Sequence, residues 1–272
     1  MALIRVDGVS KSFAGRHGSI NIIQGISFDV ADSDFLAIVG PSGCGKSTLL
    51  RLIQGLDHPT AGTISFRDQP VTSVCSKMAM VFQSFALYPW LTVSENVAFG
   101  VEALGWPPER IKTQVERYVS VTGLDGFQEA YPRELSGGMR QRVGLARALA
   151  VEPSVLLMDE PFSALDPLTA ESLREEVLQL WRDPDLPPDA VLLVTHNIEE
   201  AIQLADRIIV LSRRPAHLLA DVRIDLPRPR DRKSPAFYEL TDRVYSLITE
   251  GGGPAPSAPP AANGASPLQQ GL

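Results

Sequence analysis

A glycine-rich stretch at residues 40–48 has the composition of a phosphate-binding loop. It follows an apolar, strand-like run at 35–39 and precedes a helix-like segment that begins near Leu49. The glycines let backbone N–H groups close around phosphate oxygens, and the helix N-terminus adds its positive dipole end. Lys46 could reach the β- and γ-phosphates while the Ser47 hydroxyl binds Mg²⁺. A chance glycine-rich turn would lack these flanks, so the stretch predicts a nucleoside triphosphate site. The loop residues expected to bind the nucleotide are Gly40, Pro41, Ser42, Gly43, Cys44, Gly45, Lys46, Ser47 and Thr48.

Two neighbouring carboxylates, Asp159 and Glu160, end a second apolar run that begins near 153. Mg²⁺ needs a carboxylate at the end of a buried strand beside a phosphate loop, so we expect Asp159 to bind the ion directly or through water. Glu160 is expected to point the other way along the strand and could polarise an attacking water as a general base. The alternative is a merely polar strand end before Pro161.

A second helix start with anion-binding character lies at 135–142. Ser136 has the position of an N-cap, and Gly137 and Gly138 would expose backbone N–H groups at the start of the helix. One nucleotide does not need two helix N-termini from the same chain. Two chains that share their nucleotides do, so this stretch favours a dimer.

The elements that would position these motifs predict an α/β fold. Continuous apolar runs at 78–82, 153–159 and 190–196 indicate buried strands, and their alternation with helices implies a mainly parallel sheet with right-handed crossovers. Residues 3–30 alternate between apolar and polar positions, which predicts short antiparallel strands, and 62–66 reads as another strand of that sheet.

The remaining segments predict helices and a tail. Residues 84–150 read as a helical insertion punctuated by proline and glycine, and 167–182 as an amphipathic helix. An exposed, mostly extended connector is expected at 227–233, before a last helix capped by Ser234. We expect 251–272, rich in Pro, Ala, Gly and Ser, to be a disordered tail. Among the side chains expected to face the core are Leu168, Leu173, Val177, Leu178, Trp181 and Tyr238.

The composition excludes some functions. A formal net charge of -7 over 272 residues leaves no excess of Lys and Arg to displace phosphate counterions, which argues against nucleic-acid binding. No apolar run reaches the roughly 18 residues needed to span a bilayer, and the N-terminus has no signal-peptide pattern. Any role at a membrane is therefore expected to come through a partner.

The two cysteines, Cys44 and Cys75, are too few for a disulfide framework and fit a reducing cytosol. Cys44 stands near a helix N-terminus, which favours a thiolate. We therefore expect alkylation of Cys44 to block ATP binding.

Taken in order, these motifs resemble those of the nucleotide-binding subunits of ATP-binding cassette (ABC) transporters, over roughly residues 1–250. Gln83 stands in the place of the family's Q-loop glutamine, and His196 in that of its switch histidine. A simple P-loop kinase or a GTPase would lack the signature, the D-loop and the switch histidine as a set. The signature residues are Leu135, Ser136, Gly137, Gly138 and Met139, and the D-loop residues are Ser163, Ala164, Leu165 and Asp166.

The resemblance implies a P-loop NTPase (RecA-like) core formed by 1–83 and 151–250, with an antiparallel β-subdomain. An α-helical signature subdomain would be inserted at 84–150. It also implies a head-to-tail dimer, of two copies or of this chain with a related ATPase. Each of two ATP molecules would lie between Lys46 of one subunit and Ser136 of the other.

The resemblance also implies roles for single residues. Glu160 would be the catalytic carboxylate, and His196 would contact the γ-phosphate and the attacking water. Gln83 would sense Mg²⁺ and the γ-phosphate and link the site to the helical insertion. Phe13 would stack on adenine, the alternative being an ordinary core aromatic. The implied Mg²⁺ residues are Ser47, Gln83 and Asp159.

Residues 86–93 are similar to a Pro-Trp-Leu-Thr-Val stretch of the nitrate/sulfonate/taurine-type importers, and 211–215 and 225–230 also look like that subfamily. Aromatic groups within 84–93 would suit docking of a permease helix, the alternative being subdomain core. The resemblance implies an ATPase at the cytoplasmic face of the bacterial inner membrane that energises uptake of a small solute. Its partners would be an integral-membrane permease and, indirectly, an extracytoplasmic solute-binding protein. The ATPase of an exporter or lipid transporter, and a soluble cassette ATPase, remain alternatives.

Overall fold

Two β-sheets and the helices packed on them form the structure. The computed structural model describes residues 2–15, 18–186 and 188–250, so the tail predicted at 251–272 lies outside the described residues. The strands are β1 (Ala2–Gly15), β2 (Gly18–Ala31), β3 (Phe35–Val39), β4 (Ala61–Phe66), β5 (Gln69–Pro70), β6 (Met78–Val81), β7 (Val155–Asp159), β8 (Ala190–Thr195), β9 (Arg207–Leu211) and β10 (Leu218–Arg223). The helices are α1 (Lys46–Gln54), α2 (Val93–Ala103), α3 (Pro108–Val121), α4 (Gly137–Ala150), α5 (Pro167–Arg182), α6 (Ile198–Leu204) and α7 (Pro235–Glu250).

The larger sheet has six strands in the order β10-β9-β3-β8-β7-β6. The pairs from β9 through β6 are parallel, and β10 joins β9 antiparallel. Every residue of β3, β6 and β8 is buried, as expected of parallel strands with both faces covered. Because parallel strands end at the same edge, the segments that follow β3, β6, β7 and β8 meet at that edge.

Strand β3 contributes to a hydrophobic core on each face of this sheet. Phe35, Ala37 and Val39 belong to one core, which includes residues of α2, α4 and α5. Leu36 and Ile38 belong to the other, which includes residues of β1, β2 and α1. The alternation of side chains along one strand therefore fixes the sheet between two packed layers.

The smaller sheet is antiparallel, in the order β2-β1-β4-β5. The expectation of short strands over 3–30 is wrong, because β1 and β2 are each 14 residues long. The breaks in their alternation are register shifts rather than turns, and Gly8 and Gly25 lie within these shifts with positive φ (58° and 61°). Bulges of this kind bend a strand without ending it.

The helices α2, α3 and α4 lie between β6 and β7, where the sequence predicted a helical insertion. Thr92 and Glu95 form a capping box at the start of α2: Thr92 Oγ1 accepts from Glu95 N at 3.3 Å, and Glu95 Oε2 accepts from Thr92 N at 2.7 Å. The division into 1–83 with 151–250 and 84–150 stays a prediction. No helix in the described ranges is long and apolar enough to cross a membrane.

Two side chains predicted to face the core are exposed. Leu168 is 84% exposed because it projects from the opposite side of α5 to Ala170, the buried residue of the same turn, and Tyr238 lies on the outer side of α7. Further along α5, Leu173 and Val177 are buried, and Trp181 packs its ring edge-on against Phe35 with centroids 5.9 Å apart.

Candidate active site

The phosphate loop connects β3 to α1 at the carboxyl edge of the larger sheet. Lys46 is buried, and its Nζ donates to the carbonyl oxygens of Gly40 at 3.0 Å and Pro41 at 3.2 Å. Gly43 and Gly45 have φ values of 73° and 122°, a region that suits glycine. A Cβ on Gly45 would also lie 2.8 Å from Ile22 of β2, so this position lacks room for a side chain. The loop is thus closed around the lysine ammonium at the N-terminus of α1.

A hydroxyl and a carboxylate meet beside this loop. Ser47 Oγ donates to Asp159 Oδ1 at 2.7 Å, which joins the start of α1 to the end of β7. Burial raises the pKa of Asp159, and the hydrogen bond from Ser47 opposes that shift. Both oxygens are hard ligands of the kind that Mg²⁺ prefers. Mg²⁺ usually takes one or two protein oxygens and completes its shell with water and substrate phosphate, so Ser47 and Asp159 fit this ion.

Glu160 lies between a cation and an imidazole. Its Oε1 is 4.0 Å from Lys46 Nζ, and its Oε2 is 3.1 Å from Nδ1 of His196, which follows β8. Glu160 has a φ of 47°, a conformation that costs a non-glycine residue about 1–3 kcal/mol and that concentrates at functional sites. Its N–H donates to the carbonyl of Val194 at 2.9 Å, and its own carbonyl accepts from Ser163 Oγ at 2.9 Å. The carboxylate is therefore fixed beside the lysine.

Gln83 is exposed two residues after β6. Val81 pairs with Met158, so Gln83 follows its strand at the same edge as Asp159. In the described residues, no hydrogen bond joins the Gln83 side chain to Ser47 or Asp159. Gln83 therefore lies at the same edge as Asp159, and its role toward Mg²⁺ stays a prediction.

Phe13 lies near the end of β1 and is 43% exposed, so it is not an ordinary core aromatic. Lys11 places its Nζ 4.9 Å from the Phe13 ring centroid. The same Nζ donates to Asp57 Oδ1 at 2.6 Å and to the carbonyl of His58 at 2.7 Å. The hydrogen bond from Lys11 lowers the pKa of Asp57. Sequence reasoning missed Lys11, whose partners follow α1 more than forty residues later.

The signature residues begin α4. Ser136 is the N-cap, and its Oγ accepts from Met139 N at 3.2 Å. A Cβ on Gly138 would lie 2.4 Å from Cγ2 of Thr169, so α4 approaches α5 closely there. Across the part of the chain that the structure describes, no hydrogen bond joins Leu135 through Met139 to the phosphate loop.

The D-loop, residues 163–166, runs from Glu160 toward the signature helix. Cδ2 of Leu165 lies 3.5 Å from where a Cβ of Gly137 would be. Asp166 ends the loop as the N-cap of α5, accepting from Thr169 N at 3.1 Å. Glu160 and α4 are therefore linked through one short loop.

The expectation of a reactive thiolate at Cys44 is wrong. Its side chain is 1% exposed and belongs to the apolar core between the smaller sheet and α1. Burial raises the pKa of the Cys44 thiol more than the nearby Lys46 ammonium lowers it. The position beside a helix N-terminus is outweighed by desolvation, because the side chain points into the core.

Two arginines that sequence reasoning missed also contact functional segments. Arg214 Nη2 donates to the carbonyl of Gly43 in the phosphate loop at 3.0 Å. Arg147 of α4 donates to the carbonyls of Phe85 (3.2 Å) and Ala86 (2.7 Å), two residues with positive φ that follow Gln83. No local pattern could have indicated these pairs, because 61 or more positions separate the partners.

An aromatic surface cluster follows Gln83. The Tyr88 ring lies 4.4 Å from Phe99 and 5.7 Å from Trp90, measured between centroids. Trp90 is 69% exposed, and Phe99 is also exposed. Trp90 and Phe99 therefore lie at the surface, and Tyr88, which contacts both rings, is partly buried.

Comparison with known proteins supplies the family. A family model described as ABC transporter matches residues 23–163. The chain is 40% identical over 249 residues to the aliphatic sulfonates import ATP-binding protein of Bacillus cereus, covering 92% of this chain and 97% of that protein. It is 42% identical over 254 residues to the nitrate import ATP-binding protein of Synechocystis, covering 90% and 94%. A solved dimeric cassette in a post-hydrolysis state with ADP and Pi superposes with a TM-score of 0.72 at 28% identity, covering 82% of this chain and all of that one.

Proposed function

The chain belongs to the ABC transporter family of ATP-binding proteins, and we propose that it is the ATP-hydrolysing subunit of an importer for a small anion. ATP hydrolysis is proposed chiefly on the position of the Glu160 carboxylate. Its Oε1 lies 4.0 Å from Lys46 Nζ, and its Oε2 lies 3.1 Å from His196 Nδ1. The importer part rests on relatives named for sulfonate and nitrate import. Nitrate, a sulfonate, taurine or a similar anion is the proposed solute.

In the proposed reaction, Lys46 exchanges its loop carbonyls for β- and γ-phosphate oxygens. Glu160 orients the attacking water and accepts its proton, and His196 stabilises the γ-phosphate and the same water. Ser47 and Asp159 would hold Mg²⁺, and the bound ion would neutralise negative charge on the phosphates. The exposed ring of Phe13 would stack on adenine.

We propose that two chains, or this chain and a related ATPase, close head to tail around two ATP molecules. Ser136 and the following N–H groups of α4 would bind the γ-phosphate held by the partner's phosphate loop. The signature residues make no hydrogen bond to their own phosphate loop within the described residues, which supports this arrangement. ATP would then favour the closed dimer and hydrolysis would release it, a population shift that moves the attached membrane subunit.

The proposed docking surface for the permease is the aromatic cluster Tyr88, Trp90 and Phe99, adjacent to the Q-loop. Its exposed rings suit an apolar helix of a membrane protein. The ATPase would thus lie at the cytoplasmic face of the bacterial inner membrane. An extracytoplasmic binding protein, acting through the permease, would select the solute.

Glu160→Gln tests the catalytic assignment. The substitution removes the proton acceptor but keeps the shape, so phosphate release should fall about 10²- to 10⁴-fold while ATP still binds. The measurements are steady-state phosphate release and equilibrium nucleotide binding. Glu116→Gln on the exposed side of α3 is the matched control and should keep the parental rate. An unchanged rate in Glu160→Gln would refute the assignment.

The same variant tests the importer. Tagged Glu160→Gln protein, held closed with Mg-ATP in detergent-solubilised membranes of its host, should co-purify with a polytopic permease identified by mass spectrometry. A binding protein encoded beside that permease then supplies the component whose anion ligand can be measured. Recovery of soluble proteins or nucleic acid instead of a permease would contradict transport and leave the ATPase assignment intact.

A further inference from the structure

The connector between β10 and α7 carries arginines at alternate positions, Arg228, Arg230 and Arg232. All three side chains bind the short helix α6 or the residues that end it. This helix begins two residues after His196. Residues 227–233, the arginine connector, therefore contact the element that follows the proposed switch histidine.

Two of these arginines hold the C-terminal end of α6. Arg228 Nη2 donates to the carbonyl of Leu204 at 2.5 Å, and Arg230 Nη1 donates to those of Ile202 and Ala205, each at 2.5 Å. The Arg230 side chain is 1% exposed, and burial lowers its pKa to about 10, so it stays charged at neutral pH. Carbonyls at a helix end lack partners within the helix, and one guanidinium can bridge several of them.

The third arginine holds the first turn. Arg232 donates to Glu199 of α6 and, at 3.5 Å, to Glu171 of α5. Beside it, the buried Glu200 accepts from Arg174 Nη1 of α5 at 3.3 Å. The helix is therefore held at both ends by charged groups from outside it.

We propose that the arginine connector positions His196 against Glu160 by fixing α6, with Arg230 as the principal positioning residue. A helix of seven residues does not hold its place by its own hydrogen bonds. The link to the histidine is short and stiff: Asn197, which follows His196, donates its N–H to Thr195 Oγ1 at 3.0 Å, and its Oδ1 accepts from Glu200 N at 3.1 Å. The inference rests on the proposed hydrolytic role of Glu160 and His196.

The test compares Arg230→Met with Arg230→Lys in the full chain. Without the guanidinium the histidine is displaced, so kcat for ATP hydrolysis should fall between about ten- and a hundredfold. The dissociation constant for ATP should change less than twofold, because no hydrogen bond in the described residues joins the connector to the phosphate loop. Arg230→Lys keeps one charged donor and should recover part of the rate. Arg223→Met, at the exposed end of β10, is the control and should match the parent.

A double-mutant cycle separates positioning from general damage. Arg230→Met in a His196→Ala background should lower the residual rate no further, whereas independent losses would multiply. If Arg230→Met does not fold, Arg232→Gln removes the more exposed contact and should lower kcat in the same manner.

The outcomes also separate this inference from the proposed function. Suppose that ATP hydrolysis by the parent depends on Glu160, but Arg230→Met and Arg232→Gln have the parental rate. This result overturns the positioning role and leaves the ATPase assignment standing. ATP affinity that falls in parallel with kcat, or losses that multiply in the cycle, overturns it as well. A parent that shows no hydrolysis dependent on Glu160 overturns the proposed function itself.

Discussion

The direction of single side chains decides which residues of the phosphate loop can react. Lys46 and Cys44 are two positions apart, yet the ammonium is held by the loop carbonyls and the thiol is packed in the apolar core. The left-handed glycines between and before them reverse the chain and set these directions. A residue beside a helix N-terminus is therefore not automatically activated by it.

Cys44 should resist alkylation in the folded chain. Its thiol is buried and its pKa is raised, whereas Cys75 is only partly buried. Brief treatment with a maleimide, followed by peptide mass spectrometry, should find label mainly on Cys75, and unfolding in guanidinium should expose both. Faster labelling of Cys44 than of Cys75 in the native chain would contradict this orientation.

The sequence could predict those parts of the site that are contiguous. The phosphate loop and the pair Asp159 and Glu160 are recognisable because backbone geometry and chemistry are encoded within a few residues. The contacts of Lys11 with Asp57 and of Arg214 with Gly43 could not be predicted, since both depend on how distant segments pack.

At the scale of elements, a buried side chain organises the turn that presents the aromatic cluster. Asn96 of α2 is fully buried, and its Nδ2 donates to the carbonyls of Tyr88 (3.2 Å), Leu91 (3.0 Å) and Thr92 (2.9 Å). Its Oδ1 accepts from the Tyr88 N–H at 2.9 Å. One amide thus replaces the regular backbone bonds that the Pro89 turn lacks.

Asn96→Ala should destabilise the fold by about 3 kcal/mol, because it leaves several buried backbone groups without partners. Urea unfolding followed by circular dichroism measures the change. Ser94→Ala in the same turn of α2 is the control and should lie within about 0.5 kcal/mol of the parent. A loss from Asn96→Ala no larger than that of the control would show that the turn is held by other contacts.

Element types were predictable from periodicity, but their ends and exposed faces were not. The interruptions in β1 and β2 look like turns in the sequence, whereas in the structure the partner strand follows each bulge and pairing continues. Leu168 fits the apolar stripe of α5, but in the first turn of that helix it is Ala170 that is buried, and Leu168 projects from the opposite side. Both errors arise because pairing and coverage depend on a second element.

At the scale of the whole molecule, an ion pair joins α4, within the predicted helical insertion, to α5. Arg142 of α4 approaches Glu176 of α5 at 2.8 Å, and its Nη1 also donates to the carbonyl of Thr122 at 3.2 Å. Burial raises the pKa of Glu176 to about 6, against the opposing influence of Arg142. The carboxylate therefore titrates in a range where an exposed glutamate is already ionised.

Stability should fall as pH rises through the titration of Glu176. The folded chain binds this proton more tightly than the unfolded chain, whose pKa is 4.5, so raising the pH from about 4.5 to about 6 costs stability. The raised pKa stabilises the folded chain by about 2 kcal/mol at low pH, and this stabilisation is lost above about pH 6. Glu176→Gln has no carboxyl group to titrate, so between pH 4.5 and pH 6 the parent should lose about 2 kcal/mol of unfolding free energy relative to this variant. Urea titrations of both proteins across this range measure the difference. A difference that is constant with pH would contradict the raised pKa.

The assembly of the molecule from its parts was the least predictable level. The arginine connector reads in the sequence as an exposed, extended segment, and only the fold brings Arg230 under the last turn of α6. Such contacts combine side chains and backbone carbonyls of segments that share no sequence pattern, so they require the three-dimensional arrangement.

The exposed indole of Trp90 also makes the chain its own optical probe. The chain has three tryptophans, and the other two are already in contact: Trp181 with the Phe35 ring, and Trp106 with the Arg110 guanidinium at 3.5 Å from the ring centroid. The red-shifted part of the fluorescence emission is therefore expected to come chiefly from Trp90, the exposed indole. Covering the aromatic cluster would move that emission toward the blue, so attachment of the proposed permease could be followed in real time without a label.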